Sequence, residues 1–356
     1  MEKSSLEAAP SSPTSPNGFV LSVNDGRMRL TAEPGETILD AFGRASLYIP
    51  SACGGQGTCG SCSCRVKQEL GPLSPFEIPR ITESERKTRH RLACQVRVDR
   101  DLDVSIPEEY FDVRRVQARV ESLRDLGGEL RELALRLISG RLDFTPGQYV
   151  QMTIPPYDRM PERVQRAYSI ASPPGEGDRL ELLVRRIPRG IATTWIHRSL
   201  QVGDQVDLAG PFGRFALRKS AAIKLCVAGG SGIAPFMSMF RHLKRSGEAT
   251  GAELWCFLWG RTVGDLIYVD ELRAFGDELP GFHFVPVVSE RRREDEWAGE
   301  TGDITEALER HLGSGRIPAS ACEGYICGSP GLVNACRSVL ARMAVPDERI
   351  FMDKFV

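Results

Sequence analysis

Residues 51–66 read SACGGQGTCGSCSCRV and place four cysteines within twelve positions. The residues between these cysteines are almost all Gly, Ser, Thr and Gln, so the backbone is free to wrap tightly around something small. Closely spaced cysteines are typical of a disulfide knot, a zinc site or an electron-transferring cluster. The rest of the chain bears on the choice among these three.

The chain as a whole argues against a disulfide knot. It has 356 residues and ten cysteines, and residues 1–18 lack the apolar core of a signal peptide and are predicted to be a flexible leader. The longest weakly polar run, 225–239, is too short to span a bilayer and is interrupted by glycines and Pro235. We therefore expect no membrane span and a cytoplasmic location, where clustered cysteines are metal ligands more often than disulfides.

Composition limits the class of protein. Apolar residues make up 41% of the chain and charged residues 26%, values typical of soluble globular proteins. The formal net charge is −1, so no overall field attracts nucleic acid, and nucleic-acid binding is not expected. The most basic stretch, RKTRHR at 86–91, is interpreted as a solvated face.

The sequence divides into three segments after the leader, and a multidomain protein is predicted. In residues 19–108, β-like runs (FVLSV, MRLTA, CRVKQ, CQVRV, LDVSI) surround one helical stretch, GETILDAFGRASL, which indicates an α+β domain. Residues 112–218 are almost entirely β-like, with Gly/Pro turns, and indicate a small barrel or sandwich. Residues 220–356 alternate strand-like and helical runs, which indicates an α/β domain with a parallel sheet.

Three cysteines of the opening stretch have the spacing of cluster ligands. Cys53, Cys59 and Cys62 follow the pattern C-x5-C-x2-C, and Cys94 follows in RLACQ. Ferredoxin-type [2Fe–2S] clusters use four thiolates, three of them on one loop and one distant. Zinc is the competing interpretation, but structural zinc sites usually pair two CxxC knuckles and no second knuckle lies near Cys94.

The stretch ACGGQGTCGSC followed by RLACQ resembles the ferredoxin module of electron-transfer reductases. The x5 spacing departs from plant-type ferredoxins. It is similar to the adrenodoxin-like spacing and to the ferredoxin module on the flavin subunit of the sodium-translocating NADH:quinone oxidoreductase. The resemblance implies a β-grasp ferredoxin domain with Cys53, Cys59, Cys62 and Cys94 as cluster ligands. Cys64 is expected to pack in the core.

The middle segment carries a second motif. RAYSIAS begins at Arg166, VRRIPRGIATTW runs over 184–195, and GDQVDLAGPFGRF follows. In this order they resemble the flavin barrel of the ferredoxin–NADP reductase superfamily, an antiparallel β-barrel. The resemblance implies FAD, rather than FMN, with Arg166 on the pyrophosphate, Tyr168 against the isoalloxazine and Ser169 near the reactive ring nitrogen.

The loop of this motif has its own candidate residues. Gly190 would allow close backbone approach to a phosphate, and Thr193 offers a hydroxyl. Family members often carry a glycine pair here, whereas this chain has Arg189 before Gly190. The resemblance therefore does not predict the path of the loop around Gly190 in this chain.

The last segment carries a third motif. VAGGSGIAP at 227–235 would let backbone amides and a helix start approach a dinucleotide phosphate. It resembles the nicotinamide-binding domain of the same superfamily, which implies contacts from Gly229, Gly230, Gly232 and Pro235.

Three further features of the last segment agree with this resemblance. WGRT implies an adenosine contact at Arg261, and the following Asp265 favours NADH over NADPH, because a carboxylate repels a 2′-phosphate. YICGSP implies that Cys327 and Gly328 lie beside the nicotinamide. The C-terminal IFMDKFV makes Phe355 the candidate for an aromatic that covers the flavin.

Together the resemblances imply an NADH-dependent FAD/iron–sulfur oxidoreductase. Electrons would pass from NADH to FAD, then to the [2Fe–2S] cluster, then to a partner protein, with Ser169, Cys327 and Phe355 at the reacting centre. An oxygenase component is the expected partner. The alternatives are a soluble relative of the quinone-reductase flavin subunit, and a reductive activator or redox sensor.

Overall fold

A computed structural model of the chain describes residues 18–127, 129–158, 160–175, 178–248, 253–291 and 296–355. The predicted leader lies outside the described residues except for Gly18. The chain forms two compact units. The first contains the residues up to Ile49 together with Gly55–Asp112, and the second contains Pro50–Gly54 and Val113–Val356.

The first unit is a five-stranded mixed sheet crossed by one buried helix. Its strands lie in the order β2-β1-β5-β3-β4, and β1 and β5 are parallel while the other pairs are antiparallel. The elements are β1 (Phe19–Val23), β2 (Met28–Ala32), α1 (Ile38–Arg44), β3 (Ser63–Val66), α2 (Glu83–Lys87), β4 (His90–Leu92) and β5 (Leu102–Ser105). This is the β-grasp arrangement that the resemblance implied.

Helix α1 is capped by Thr37, whose hydroxyl accepts a hydrogen bond from the backbone N–H of Asp40 at 3.1 Å. It buries Ile38, Ala41 and Phe42 on its inner side.

The prediction of a strand over CQVRV was wrong. Val96 and Val98 are buried as alternation requires, but the backbone there turns, with the N–H of Gln95 and of Val96 both donating to the carbonyl of Leu92. Its only β-pairing in the described chain is an isolated bridge between Thr37 and Arg97.

The second unit begins with an antiparallel six-stranded barrel. Its strand order is β10-β7-β6-β11-β8-β9, and a bridge from Ile170 to Leu182 joins the two edges. The prediction of an almost all-β segment missed one helix, α3, which begins after Gly190. The elements are β6 (Arg114–Gly127), β7 (Leu130–Ser139), β8 (Tyr149–Ile154), β9 (Val164–Ser169), β10 (Arg179–Arg185), α3 (Ile191–Arg198) and β11 (Gln205–Phe212).

The same unit continues into a parallel sheet of order β15-β14-β13-β12-β16-β17, covered by helices. The predicted alternation of strands and helices is confirmed, and the glycine-rich turn after the first strand leads into a helix with Pro235 in its first turn. The elements are β12 (Ile223–Gly229), α4 (Ala234–Ser246), β13 (Leu254–Gly260), α5 (Val269–Glu278), β14 (Phe282–Val288), β15 (Glu300–Thr301), α6 (Ile304–Gly313), β16 (Cys322–Gly328), α7 (Pro330–Arg342) and β17 (Ile350–Lys354).

Within the part of the chain that the structure describes, every helix is too short or too polar to cross a membrane.

Candidate cofactor sites

Two of the four predicted cluster cysteines meet in the first unit. The Sγ atoms of Cys62 and Cys94 lie 3.4 Å apart, and both residues are buried. The hydrogen bond between the two thiols, together with burial, raises the pKa of Cys62 far above its usual value. A bound metal cation would reverse this, because it deprotonates coordinating thiols. The donor set at this position therefore fits a metal-containing group.

The loop before Cys62 has the backbone that wrapping a cluster requires. Gly55, Gly57 and Gly60 have φ values of 87°, 73° and 78°, which side chains other than glycine rarely adopt. At Gly57 a Cβ would also lie 2.8 Å from Nε2 of Gln95, so a side chain there would have to displace that amide. These glycines explain the composition of the opening stretch.

The other two predicted ligands are not brought together with this pair into a metal site. Cys59 is half-buried, and its Sγ accepts a hydrogen bond from the N–H of Ser61 at 3.4 Å. Cys53 is buried and belongs to the short segment that groups with the second unit. Among the described residues, no group of three or more His, Cys, Asp or Glu side chains could hold a metal ion as placed. The four-cysteine ligand set therefore stays a prediction.

Cys64 takes the position expected of a core residue. It lies in β3 with 1% of its surface exposed, and burial raises the pKa of its thiol to about 12. It packs in the same apolar cluster as Leu92 and Val104.

The flavin motif begins on β9, the last strand in the order of the barrel sheet. Tyr168 packs against the barrel core, and its buried hydroxyl has no hydrogen-bond partner among the described residues. A buried hydroxyl without a partner costs free energy, so this atom fits a bound group that supplies one. Arg166 directs Nη1 to the carbonyl of Gln165 at 2.7 Å, and Ser169 ends the strand with 6% of its surface exposed.

The loop after β10 is held by its own contacts. Gly190 has an ordinary φ of −66°, and the left-handed conformation falls on Arg189, at φ 60°. Glycine is needed at 190 for space, since a Cβ there would lie 2.6 Å from Oγ1 of Thr193. That hydroxyl accepts a hydrogen bond from the N–H of Ile187 at 3.1 Å. A phosphate contact at Gly190 or Thr193 stays a prediction.

The nicotinamide motifs converge at the carboxyl ends of the parallel strands. A Cβ on Gly232 would lie 2.3 Å from the carbonyl oxygen of Cys327 and 3.0 Å from Cα of Gly328. A Cβ on Gly229 would lie 2.5 Å from a methyl group of Leu332. The turn after β12 and the turn after β16 thus pack backbone to backbone, which is where parallel-sheet proteins bind ligands.

Gly230, in the same turn, has a φ of 56°. A Cβ there would lie 3.2 Å from Nη1 of Arg185, so a guanidinium from the barrel lies beside the turn. Sequence reasoning missed Arg185; the basic pair in VRR was the available signal.

Cys327 faces an acidic residue that sequence reasoning also missed. Its buried Sγ lies 3.9 Å from Oδ2 of Asp353, and burial raises the pKa of this carboxyl to about 6. An acidic residue in the short C-terminal strand IFMDK was the available signal. The N–H of Phe355 donates to the carbonyl of Gly328 at 2.9 Å, so the C-terminal strand reaches the same turn.

The predicted adenosine-side residues lie on the turn after β13. Oδ2 of Asp265 accepts hydrogen bonds from the N–H and the hydroxyl of Thr262 at 2.8 and 2.9 Å. Arg261 is exposed, and its Nε lies 3.9 Å from a carboxylate oxygen of Glu290. Asp265 therefore braces the turn, and its effect on the choice between NADH and NADPH stays a prediction.

Three family models match the chain in the order of its domains. Residues 21–99 match the 2Fe-2S iron-sulfur cluster binding domain, 117–217 the oxidoreductase FAD-binding domain and 226–338 the oxidoreductase NAD-binding domain. With the folds described above, they define an NADH-dependent electron-transfer oxidoreductase that carries FAD and a [2Fe–2S] cluster, of the ferredoxin-reductase type.

Relatives that match along nearly the whole chain show its family. The F subunit of the Na(+)-translocating NADH-quinone reductase of Idiomarina loihiensis is 30% identical over 94% of this chain and 91% of the relative. The corresponding protein of Neisseria meningitidis is 32% identical over 93% of this chain and 90% of the relative. The chain belongs to the family that contains these F subunits.

Two solved structures share the whole architecture. The Amycolatopsis cytochrome P450 reductase GcoB has a TM-score of 0.73 and 31% identity, covering 95% of this chain and 98% of that one. The ferredoxin reductase in carbazole 1,9a-dioxygenase has a TM-score of 0.71 at 23% identity, with 95% and 98% coverage, and supports the fold alone.

Proposed function

We propose that this chain is the reductase component of an oxygenase system and delivers electrons from its [2Fe–2S] cluster to a partner oxygenase such as a cytochrome P450. The observation that carries the proposal is the match to the Amycolatopsis cytochrome P450 reductase, at 31% identity across 98% of that chain.

The residues have separate tasks in this proposal. Cys53, Cys59, Cys62 and Cys94 hold the cluster. Arg166, Tyr168 and Ser169 bind and orient FAD, with Gly190 and Thr193 at the start of α3 near its phosphates. A bound flavin supplies the conversion between two-electron and one-electron transfer. The protein has only to bind, orient and shield these groups.

The remaining residues receive NADH. Gly229, Gly230, Gly232 and Pro235 form the turn and helix start that accept the dinucleotide phosphates, with Arg261 and Asp265 toward the adenosine. Cys327, Gly328 and Phe355 border the nicotinamide.

The test is reconstitution. Purified protein with FAD and cluster is mixed with NADH and a bacterial cytochrome P450 under carbon monoxide, and the ferrous–CO absorption is followed. Reduction that depends on this protein supports the proposal. A protein that reduces ferricyanide rapidly but no P450 or Rieske oxygenase component counts against it.

A second function is favoured by a specific observation, the 30–32% identity to these F subunits over at least 90% of each relative. In that case the acceptor is a partner of a quinone-reducing system, as the names of those relatives state. Stimulation of NADH oxidation by a membrane fraction with quinone, in place of an oxygenase, distinguishes this second function. A redox sensor would instead show slow turnover with every acceptor.

A further inference from the structure

Helix α4 connects the nicotinamide turn to the flavin strand. It begins directly after the turn 230–233. On its buried side, the Ser238 hydroxyl donates to the backbone carbonyl of Ser172 at 2.7 Å. Nη1 of Arg241 donates to the carbonyl of Ala171 at 3.1 Å. Both carbonyls belong to the residues just after Ser169, at the end of the flavin motif.

Charges reinforce these two hydrogen bonds. The Arg241 side chain is only 16% exposed, and its Nη1 lies 2.8 Å from Oε2 of Glu181 on barrel strand β10. Nε and Nη2 of Arg241 bind the carboxylate of Glu271 on α5 at 2.7 and 2.8 Å. A planar guanidinium that forms several hydrogen bonds at once fixes the orientation of its partners as well as their distance. Arg241 thus joins α4, α5 and the barrel at one point.

A second contact fixes the same boundary between barrel and parallel sheet. The hydroxyl of Tyr268, just before α5, donates to Oε2 of Glu132 on β7 at 2.6 Å. Tyr268 has a left-handed φ of 57°, a conformation that is rare for a bulky residue and persists only where the surroundings enforce it. The guanidinium of Arg241 lies over its ring, 5.1 Å from the centroid.

We propose that Ser238 and Arg241 are positioning residues for hydride transfer from NADH to the flavin. Only five positions separate Ile233, at the end of the nicotinamide turn, from Ser238, and only three separate Ser169 from Ser172. A short stretch of helix and strand therefore fixes the position of the nicotinamide turn relative to the flavin motif.

Geometry of this kind matters for the reaction. Hydride transfer needs the reacting atoms about 3 to 3.5 Å apart, and a misplacement of about 1 Å can slow a reaction by about a hundredfold. Ser238 and Arg241 are not among the residues proposed to contact NADH or FAD, so they would act on the rate through placement rather than through binding. Flavin reduction by NADH precedes electron transfer to the cluster, so the role of Ser238 and Arg241 does not depend on which protein accepts the electrons.

The test uses FAD-loaded full-length protein and three variants: Ser238→Ala, Glu181→Gln and Arg241→Met. Ser246→Ala and Lys244→Met are the matched controls. The hydroxyl of Ser246, at the end of α4, donates to the carbonyl of Leu243 and accepts from the N–H of Glu248, both local contacts. Lys244 pairs with Glu278 on α5 at 2.7 Å.

Four quantities are measured. They are the dissociation constant of NAD⁺, the long-wavelength charge-transfer absorbance when NAD⁺ meets reduced flavin, the rate of flavin reduction at saturating NADH, and its primary deuterium isotope effect. In the three variants we expect NAD⁺ affinity and flavin content within about twofold of the parent, weaker charge-transfer absorbance, reduction slowed about tenfold and a larger isotope effect.

The controls are expected to match the parent in all four. If the variants lose thermal stability but keep the parent's saturating rate and charge-transfer absorbance, the role is structural and the proposal is overturned. Loss of NAD⁺ affinity with an unchanged saturating rate overturns it as well. Ser238→Ala removes one hydroxyl only, so it remains informative if Arg241→Met does not fold.

Discussion

Gly232 packs directly against the backbone of Cys327, with room for no Cβ between them: such an atom would lie 2.3 Å from the Cys327 carbonyl oxygen. The two residues belong to motifs almost a hundred positions apart in sequence. Their contact sets the distance between the turn after β12 and the turn after β16, the two turns that we propose to form one nicotinamide site.

Replacing Gly232 should therefore disable NADH binding. In Gly232→Ala the new methyl group can be accommodated only by moving one turn away from the other, since its neighbours are backbone atoms. We expect at least about a tenfold rise in the dissociation constant of NAD⁺, measured by calorimetry, with FAD and iron content unchanged.

Gly331→Ala is the control, because a Cβ at that nearby helical position has no atom within 4 Å. Equal NAD⁺ affinity in both variants would show that the close packing at Gly232 does not shape the binding site.

The sequence predicted the features of the fold that depend on the spacing of nearby residues. Runs and turns predicted an α+β domain, a small barrel or sandwich and a parallel-sheet domain, and the family resemblance added the β-grasp. Cysteine spacing and the density of glycines singled out the proposed cluster loop. Helix α3 was missed because its first turn, IATT, carries the β-branched residues typical of strands. The structure shows that it begins at the tightly packed Gly190, a feature that depends on the fold of the loop.

Long-range partners could not be predicted from spacing. The strand expected over CQVRV has the alternation of a strand, but the turn at Leu92 that brings Cys94 to Cys62 removes it from the sheet. Asp353 comes close to Cys327 only because β17 pairs with β16 in register. Such contacts are set by tertiary packing, on which a single sequence carries little information.

The cluster ligands can be tested against the neighbouring cysteine. Cys94→Ser should lose most iron and acid-labile sulfide, because its thiol is one of the two that meet at 3.4 Å. Cys64→Ser should keep both, since Cys64 lies in the core of β3. Iron and sulfide analysis with visible circular dichroism measures the outcome.

Flavin content, which depends on the second unit, is the internal control for folding of the rest of the chain. The ligand assignment fails if Cys94→Ser retains a full cluster, or if Cys64→Ser loses its cluster while the ferredoxin unit stays folded.

Removing one partner of a buried ion pair in the parallel-sheet domain should destabilise that domain. Nζ of Lys224 lies 2.8 Å from Oε2 of Glu323, with the two side chains 1% and 8% exposed. Lys224→Met leaves a buried carboxylate without its cation, which costs about 3 to 5 kcal/mol. We expect a lower midpoint of thermal unfolding for that domain, and a partial recovery in Lys224→Met with Glu323→Gln, which removes the uncompensated charge.

The exposed pair Lys219 with Glu248 is the control, at 90% and 47% side-chain exposure. Lys219→Met should change the free energy of unfolding by less than about 1 kcal/mol. If Lys219→Met and Lys224→Met lowered the free energy of unfolding by similar amounts, the buried pair would contribute no more to stability than the exposed pair.

Asp353 should make stability depend on pH between about 4 and 6. Burial raises the pKa of its carboxyl to about 6, above its ordinary value of 3.8, so the folded protein binds this proton more tightly than the unfolded chain does. The stabilisation is complete at low pH and is lost as the pH rises through 6. Asp353→Asn keeps a neutral side chain at every pH. Its free energy of unfolding should therefore rise by about 1 to 3 kcal/mol relative to that of the parent between pH 4 and pH 8.

Thermal unfolding of both proteins across that range measures this change, and Asp347→Asn, at an exposed pair with Arg337, is the control. A constant difference between Asp353→Asn and the parent across this range would mean that folding does not raise the pKa of Asp353.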